Sequence, residues 1–340
     1  MDHLPLIDLS PFEDNNFDDN NKKENAVISL RNACRDIGFF YVTTDALKHN
    51  PMKDVITTVK EFFDLPDEIK ETANAINSTL FRGYQGVTSP SHSCAPKNKH
   101  EIMDIKESFA IGATGNASPM HGDNQWPPKC PRLIKEKLQS HWKEMMELTM
   151  QVIRCLALSL GLEEEFFVTE MTDPTAQMVC LRYPPTPPAT TIRGNQSMIT
   201  TTGCSAHTDC GFLTLLIQEQ DTDPLQVKNR NGDWVDAPQI DGYVLCNLGD
   251  MAERWSNQYY RSSWHRVNVN TTSKARHSVP FFCNLNYGAV VDPSQSVCKG
   301  KLKSIVGETK YPSILAGDYI CEKLNLMYKA KDNSEQIFKG

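Results

Sequence analysis

His207-Thr208-Asp209 and the distant His265 restrict the fold of this chain more than any other residues. Two imidazoles and a carboxylate can share a metal only if the backbone brings two remote segments side by side. A strand puts residues i and i+2 on one face, so an extended segment from Cys204 to Asp209 points His207 and Asp209 the same way. The segment Ser262-Ser263-Trp264-His265-Arg266-Val267-Asn268-Val269 alternates and is rich in β-formers, which puts His265 on a second strand able to lie beside the first. In a chain with nine histidines a His-x-Asp tripeptide is weak by itself. A lone His265 is more often a half-buried, hydrogen-bonded histidine than a ligand.

An anion clamp a short way down the chain adds the weight. Arg276-His277-Ser278 lies in Ala275-Arg276-His277-Ser278-Val279-Pro280-Phe281-Phe282, which reads as a further strand with Arg276 and Ser278 on one face. A guanidinium fork beside a hydroxyl suits bidentate recognition of a carboxylate, and burying that arginine without an anion is costly. Two neutral imidazoles and one carboxylate on one side of an ion leave the opposite positions open, the facial arrangement of non-haem Fe(II) oxygenases.

The texture of the chain changes near Ala176. Residues 13 to 25 read as a polar loop; Ala26 to Ile37 has helical spacing and stops at Gly38; Met52 to Phe63 and Pro66 to Ala75 continue as helices. From Pro131 to Leu160 the residues Leu133, Leu138, Trp142, Met145, Val152, Leu156 and Leu160 keep helical intervals, predicting a long bracing helix ended by Gly161. Beyond Ala176 come short strands: Gln177 to Tyr183, Phe212 to Gln218, Leu225 to Lys228, Trp234 to Asp236, Tyr243 to Asn247 and Ser278 to Leu285. Asn231-Gly232 supplies a hairpin turn between two of them. Such spacing predicts a sandwich or barrel.

The stretch from His207 to Tyr287 resembles the core of the 2-oxoglutarate/Fe(II) oxygenases and isopenicillin N synthase, which share HxD, a distal His and RxS. Leu181-Arg182-Tyr183-Pro184-Pro185 resembles the family's strand before the iron strand, and Asn247-Leu248-Gly249-Asp250 with Arg254-Trp255-Ser256-Asn257 resembles its turn and short helix. Ser278 to Tyr287 is close to the isopenicillin N synthase version, and Leu6-Ile7-Asp8-Leu9 and Asp36 to Val42 match the family's opening elements. The likeness covers most of the chain and is thinnest from Thr88 to Trp126.

The resemblance implies a mainly β fold with helices: a double-stranded β-helix (jelly roll) core, braced by N-terminal and central helices. It implies one domain over residues 1–340, helix-rich to about 175, jelly roll over about 176–290, with a C-terminal helix over about 311–330. It further implies Fe(II) on His207, Asp209 and His265, and 2-oxoglutarate as co-substrate with its far carboxylate on Arg276, Ser278 and Tyr183. Dioxygen is then consumed in activating a C–H bond, with hydroxylation, desaturation or ring closure of the kainoid synthase sort as outcomes. Arg82 and Tyr84 match a family segment that faces the site, Phe282 lies on the barrel strand, and Arg193 sits in the loop from Pro184 to Gly203; these four are the candidate substrate residues.

Two rival readings stand beside this one. An isopenicillin N synthase type oxidase would place its substrate on Arg276, Ser278 and Tyr183 without 2-oxoglutarate, and Gln336 matches a labile ligand of that enzyme. Phe81-Arg82-Gly83-Tyr84 and Asn124-Gln125-Trp126-Pro127 favour the oxoglutarate users. The second rival is a non-catalytic jelly roll that binds a metal or small acid.

A net charge of −7 and a pI near 5.7 exclude a general basic face for nucleic acid or anionic membrane. There is no apolar run long enough for a transmembrane helix, and Met1-Asp2-His3-Leu4-Pro5 lacks the pattern of a signal peptide. Eleven scattered cysteines without CxxC spacing read as free thiols. The expectation is a cytoplasmic monomer whose partner is a small, amino-acid-derived, acidic substrate.

Overall fold

The strands Phe39–Thr43, Leu213–Gln218 and Val244–Leu248 are buried along their whole length, and such strands must be covered on both faces. The computed structural model, which describes residues 3–13, 20–48, 52–90, 101–186, 192–193, 198–294 and 303–335, shows both covers. These strands lie in an eight-stranded sheet ordered Leu6–Asp8, Phe39–Thr43, Val244–Leu248, Leu213–Gln218, Arg276–Asn286, Pro174–Tyr183, Glu107–Gly112, Gly83–Gln85. A four-stranded sheet faces it, ordered Cys204–His207, His265–Val267, Leu225–Lys228, Trp234–Ala237. Together they form the jelly roll.

Period-two alternation sorts the side chains between the covers. Phe40, Val42, Leu215, Ile217 and Cys246 pack against the helices, whereas Phe39, Tyr41, Leu216 and Leu245 meet Leu225, Val227 and Val267 of the smaller sheet. The helices Asn20–Asp36, Met52–Phe63 and Arg132–Ser159 supply the outer layer. The long helix turns Leu138, Met145, Val152 and Leu156 inward, and truncating Leu138 to alanine would cost about 3 kcal/mol. It ends where the sequence placed its end: Gly161 takes φ +72°, and the Leu162 N–H donates to the Ala157 carbonyl at 3.0 Å. Leu133, 59% exposed, lies off the stripe assigned to it.

Several boundaries differ from the sequence reading. The first long helix begins at Asn20 rather than Ala26, because Lys23 anchors a polar opening turn: its ammonium sits 4.7 Å from the centre of the Phe12 ring and 2.8 Å from Glu164. The segment Pro66 to Ala75 breaks into Asp67–Lys70 and a tight turn Glu71–Ala73. There Asn74 leaves helical geometry (ψ 129°) to cap the next turn through the Ile76 N–H. The last helix spans Ala316–Glu335, starting late because Ile314–Leu315 pairs with Val290–Val291. The strands Gly83–Gln85, Thr88–Pro90, Glu101–Ile105 and Glu107–Gly112 fall in or beside the stretch where the resemblance is thinnest. No helix among the described residues is long and apolar enough to cross a membrane. Cys34, Cys155, Cys180, Cys246 and Cys283 are buried free thiols.

Candidate active site

The strand Cys204–His207 pairs antiparallel with His265–Val267 and sets His207 directly opposite His265. The two ring centres are 4.2 Å apart. His207 Nδ1 lies 2.7 Å from the Ser205 carbonyl oxygen, and His265 Nδ1 lies 3.1 Å from that of Ser263. A carbonyl oxygen only accepts, so each Nδ1 carries the proton and each Nε2 keeps its lone pair.

Asp209 joins them from the loop beyond the strand, which ends at His207; the period-two expectation of a shared strand face is corrected here. Its Oδ1 stands 3.8 Å from His207 Nε2 and 3.6 Å from His265 Nε2, and one ligand atom from each residue lies within 4.8 Å of the others. Its Oδ2 accepts hydrogen bonds from Thr214 Oγ1 (2.7 Å) and Asn247 Nδ2 (2.8 Å). One carboxylate oxygen is held by the protein, and the other is presented beside two nitrogen lone pairs. Burial pushes the Asp209 carboxyl up, but in the metal-free site the charge of His265 and His207 in their protonated forms and the Asn247 hydrogen bond outweigh it and hold the group well below the usual carboxylate range; the lone pairs face a metal once those Nε2 protons are given up. This nitrogen, nitrogen, oxygen donor set fits ferrous iron.

Close backbone packing fixes the loop. The Asp250 N–H donates to the Asp209 carbonyl at 2.7 Å, and a Cβ on Gly249 would stand 2.7 Å from that same oxygen and collide with the Gly211 carbonyl. The resemblance flagged Asn247-Leu248-Gly249-Asp250 as a turn; its work in aligning Asp209, with Thr214, was not legible.

Arg276 lies farther along, 2% exposed. Its Nε donates to the Asp223 carbonyl at 2.8 Å and its Nη2 to Gln218 Oε1 at 2.7 Å, while buried Nη1 has no partner among the described residues. Among the described residues no carboxylate pairs with this guanidinium. Tyr183 sits opposite Arg276 on the neighbouring strand, with the guanidinium carbon 4.7 Å from its ring centre, and Ser278 lies two residues on. A buried cation with a spare donor beside a phenol and a hydroxyl is suited to receive a carboxylate. Gln218, unnoticed in the sequence, holds the fork in place, itself fixed by Leu225 N–H and the Ala237 carbonyl.

The candidate substrate residues divide. Phe282 lines the chamber. Arg82 also reaches its wall, but not as a free guanidinium: it donates to the carbonyls of Gly122 (2.6 Å), Ala113 (2.8 Å) and Met120 (2.7 Å) and to Asn124 Oδ1 (3.2 Å). That corrects the expectation of a substrate-binding arginine, since these bonds already tie the loop after Gly112 to the sheet. Tyr84 is corrected as well: alternation along Gly83–Gln85 turns it to the helical core, where its hydroxyl donates to Glu107 at 2.7 Å. Arg193 lies on the short strand Ile192–Arg193, but its side chain, like Gln336, falls outside the described residues.

One cation of the wall was missed altogether. Lys106, buried, reaches Asp104 Oδ2 at 3.1 Å and Cys204 Sγ at 3.1 Å. Burial alone would lower its pKa; adjacent Asp104 reverses that and raises it. The chamber is about 260 Å³, room for small molecules, and is lined from Arg276 past the three ligands to Ile320 and Leu324 of the last helix.

Residues 4–129 match the family model described as non-haem dioxygenase in morphine synthesis N-terminal, and residues 174–285 match that of the 2OG-Fe(II) oxygenase superfamily. A homoarginine-6-hydroxylase of Oryza sativa subsp. japonica is 35% identical over 94% of this chain and 96% of its own length. A 2-oxoglutarate-Fe(II) type oxidoreductase of Emericella nidulans is 32% identical over 93% and 88%. Among solved structures, a full-length Neurospora crassa protein in complex with alpha-KG and thymine superposes with a TM-score of 0.76 at 26% identity, covering 96% of this chain and 97% of that one.

Proposed function

The chain belongs to the 2-oxoglutarate/Fe(II) oxygenase superfamily, and from that premise we propose that it hydroxylates a C–H bond of a small, carboxylate-bearing metabolite. In this reading His207, Asp209 and His265 hold the iron, and Arg276, Ser278 and Tyr183 hold the distal carboxylate of 2-oxoglutarate. Iron bound there supplies the oxidation, with dioxygen and 2-oxoglutarate consumed and succinate and carbon dioxide released. The observation that carries the assignment is the buried Arg276 Nη1 without a partner, next to a three-ligand set with its lone pairs converging.

The chain's own residues do the positioning. Thr214 and Asn247 fix which Asp209 oxygen faces the metal, and the carbonyls of Ser205 and Ser263 fix the imidazole tautomers. Leu216, Leu225 and Val267 wall the space between Arg276 and the ligands, keeping water from the co-substrate and strengthening its contact with the guanidinium. Among the described residues Arg82, Lys106 and Arg276 line the chamber with one carboxylate, Asp209; Asp104 offsets Lys106, and the positive balance left favours a substrate with a carboxylate.

Hydroxylation is the reaction named for the plant relatives, and we carry over that reaction class rather than their substrate. The relatives' names turn the balance against an oxidase that works without 2-oxoglutarate and against a non-catalytic binder. The test is rigorous removal of 2-oxoglutarate from the iron-loaded protein while oxidised product is followed by mass spectrometry. Turnover should stop, and return with succinate formed one for one; undiminished turnover would overturn the assignment.

A further inference from the structure

Lys106 stands at the end of the chamber that holds Arg276. Arg276 is paired with Tyr183 across neighbouring strands, and on the far side of Tyr183 the next strand pairs Glu107 with Arg182. Lys106 precedes that strand by one residue, so carrying the register one step on sets it beside Tyr183. Alternation then turns Lys106, Ser108 and Ala110 into the chamber and sends Glu107 to Lys70 and Tyr84 behind it. The result is a row across three strands, Lys106, Tyr183 and Arg276, with Ser108, Leu181 and Ser278 in the row beside it. The phenol registers both cations: burial and Cys204 push the Tyr183 pKa up, while Lys106, Arg276 and a hydrogen bond with Ser278 pull it down.

The Lys106 ammonium is aimed by its partners rather than used up by them. Of its three protons one goes to Asp104 Oδ2 and one to Cys204 Sγ, each at 3.1 Å, and sulfur is a weak acceptor. The third has no partner among the described residues. Asp104 is fully buried and its Oδ1 accepts from the Ser205 N–H and hydroxyl; Lys106 lines the chamber and Asp104 does not, so the space meets the ammonium rather than its counter-ion. Leu181, Leu216, Leu225 and Val267 line the same end, where a charge is poorly screened. A buried ammonium with a donor to spare gains most from a carboxylate.

Resting on the oxygenase reading above, we infer that Lys106 is a second cation of the co-substrate's seat, binding the distal carboxylate of 2-oxoglutarate from the side of Tyr183 opposite Arg276. Lys106 and Arg276 together then select an oxo acid with two carboxylates over its monocarboxylic isostere.

The experiment uses the full chain loaded with zinc, the loading checked by metal analysis, so that binding is read without turnover. Calorimetry compares 2-oxoglutarate with 2-oxopentanoate, in which a methyl group replaces the distal carboxylate. Lys106→Met should weaken 2-oxoglutarate by about tenfold and leave 2-oxopentanoate within about twofold. Should the Asp104 carboxylate, left without its counter-ion, keep that variant from folding, Lys106→Met with Asp104→Asn removes both charges, retains an oxygen for Ser205 and carries the same expectation. Crystals of the unaltered zinc-loaded chain with 2-oxoglutarate give a reading that needs no variant: the ammonium should meet a distal carboxylate oxygen directly or through one water. Unchanged affinity for 2-oxoglutarate, an equal loss for both oxo acids, as a purely structural lysine would give, or an ammonium without that contact would overturn the inference. Failure of the oxygenase reading is separable: the unaltered zinc-loaded chain would then bind neither oxo acid, and both readings would fall.

Discussion

Two buried arginines line one chamber and are held in opposite ways. Arg82 donates to three carbonyls and an amide oxygen, so its charge is absorbed by the backbone that it ties together. Arg276 donates to one carbonyl and one amide and keeps a buried nitrogen without a partner. Burial is nearly the same for both, 3% and 2% exposed. What separates a structural arginine from a binding one is the tally of its donors rather than its depth.

A free guanidinium serves catalysis only beside a bound metal, so the largest expected effect belongs to the metal ligands: His265→Ala or Asp209→Ala should lose bound iron, read by metal analysis, and lower turnover by at least about a thousandfold. Next come the arginines, with opposite outcomes. Arg276→Met should raise the KM for 2-oxoglutarate by about a hundredfold and leave the unfolding midpoint unchanged or higher, because a buried unpaired charge is removed. Arg82→Met should cost about 3 kcal/mol in denaturant unfolding, leaving several carbonyls unsatisfied, while the KM for 2-oxoglutarate stays within about twofold. If the two variants behaved alike, the distinction would fall. A smaller effect is expected of Asn247→Ala, which frees Asp209 Oδ2 and should weaken metal binding by about tenfold in a competition titration.

The smallest effect concerns the back of the strand that carries Arg276. His277 faces away from the chamber; burial lowers its pKa below 6.5 even though Glu219 at 2.8 Å pulls it upward. The unfolded chain therefore takes up this proton first as the pH falls, so the contribution is intact above 6.5 and is lost between there and the lower folded value. His277→Gln should flatten unfolding free energy against pH in that window, with the 2-oxoglutarate KM little changed.

The sequence revealed the ligand wall far better than the substrate wall. His207-x-Asp209 and Arg276-x-Ser278 are short motifs, and the distant His265 follows them in type, with chemistry tied to residue type in all five, and the strands around them alternate clearly. Asp209 was found despite a wrong reason, since it comes from a loop rather than from the strand face. The opposite wall is made by strands of three to six residues with mixed composition. Whether Arg82 is free or engaged depends on carbonyls of residues 113–122, and Lys106 becomes a chamber cation only when Glu101–Ile105 is laid beside Cys204. Such facts exist only between segments.

The most direct test is a crystal structure of the chain grown without oxygen, with manganese in place of iron and 2-oxoglutarate added, the metal being located by anomalous scattering. One metal should lie against His207 Nε2, His265 Nε2 and Asp209 Oδ1, with the distal carboxylate of 2-oxoglutarate on Arg276 Nη1. A metal elsewhere, or that carboxylate on Arg82, would contradict the account.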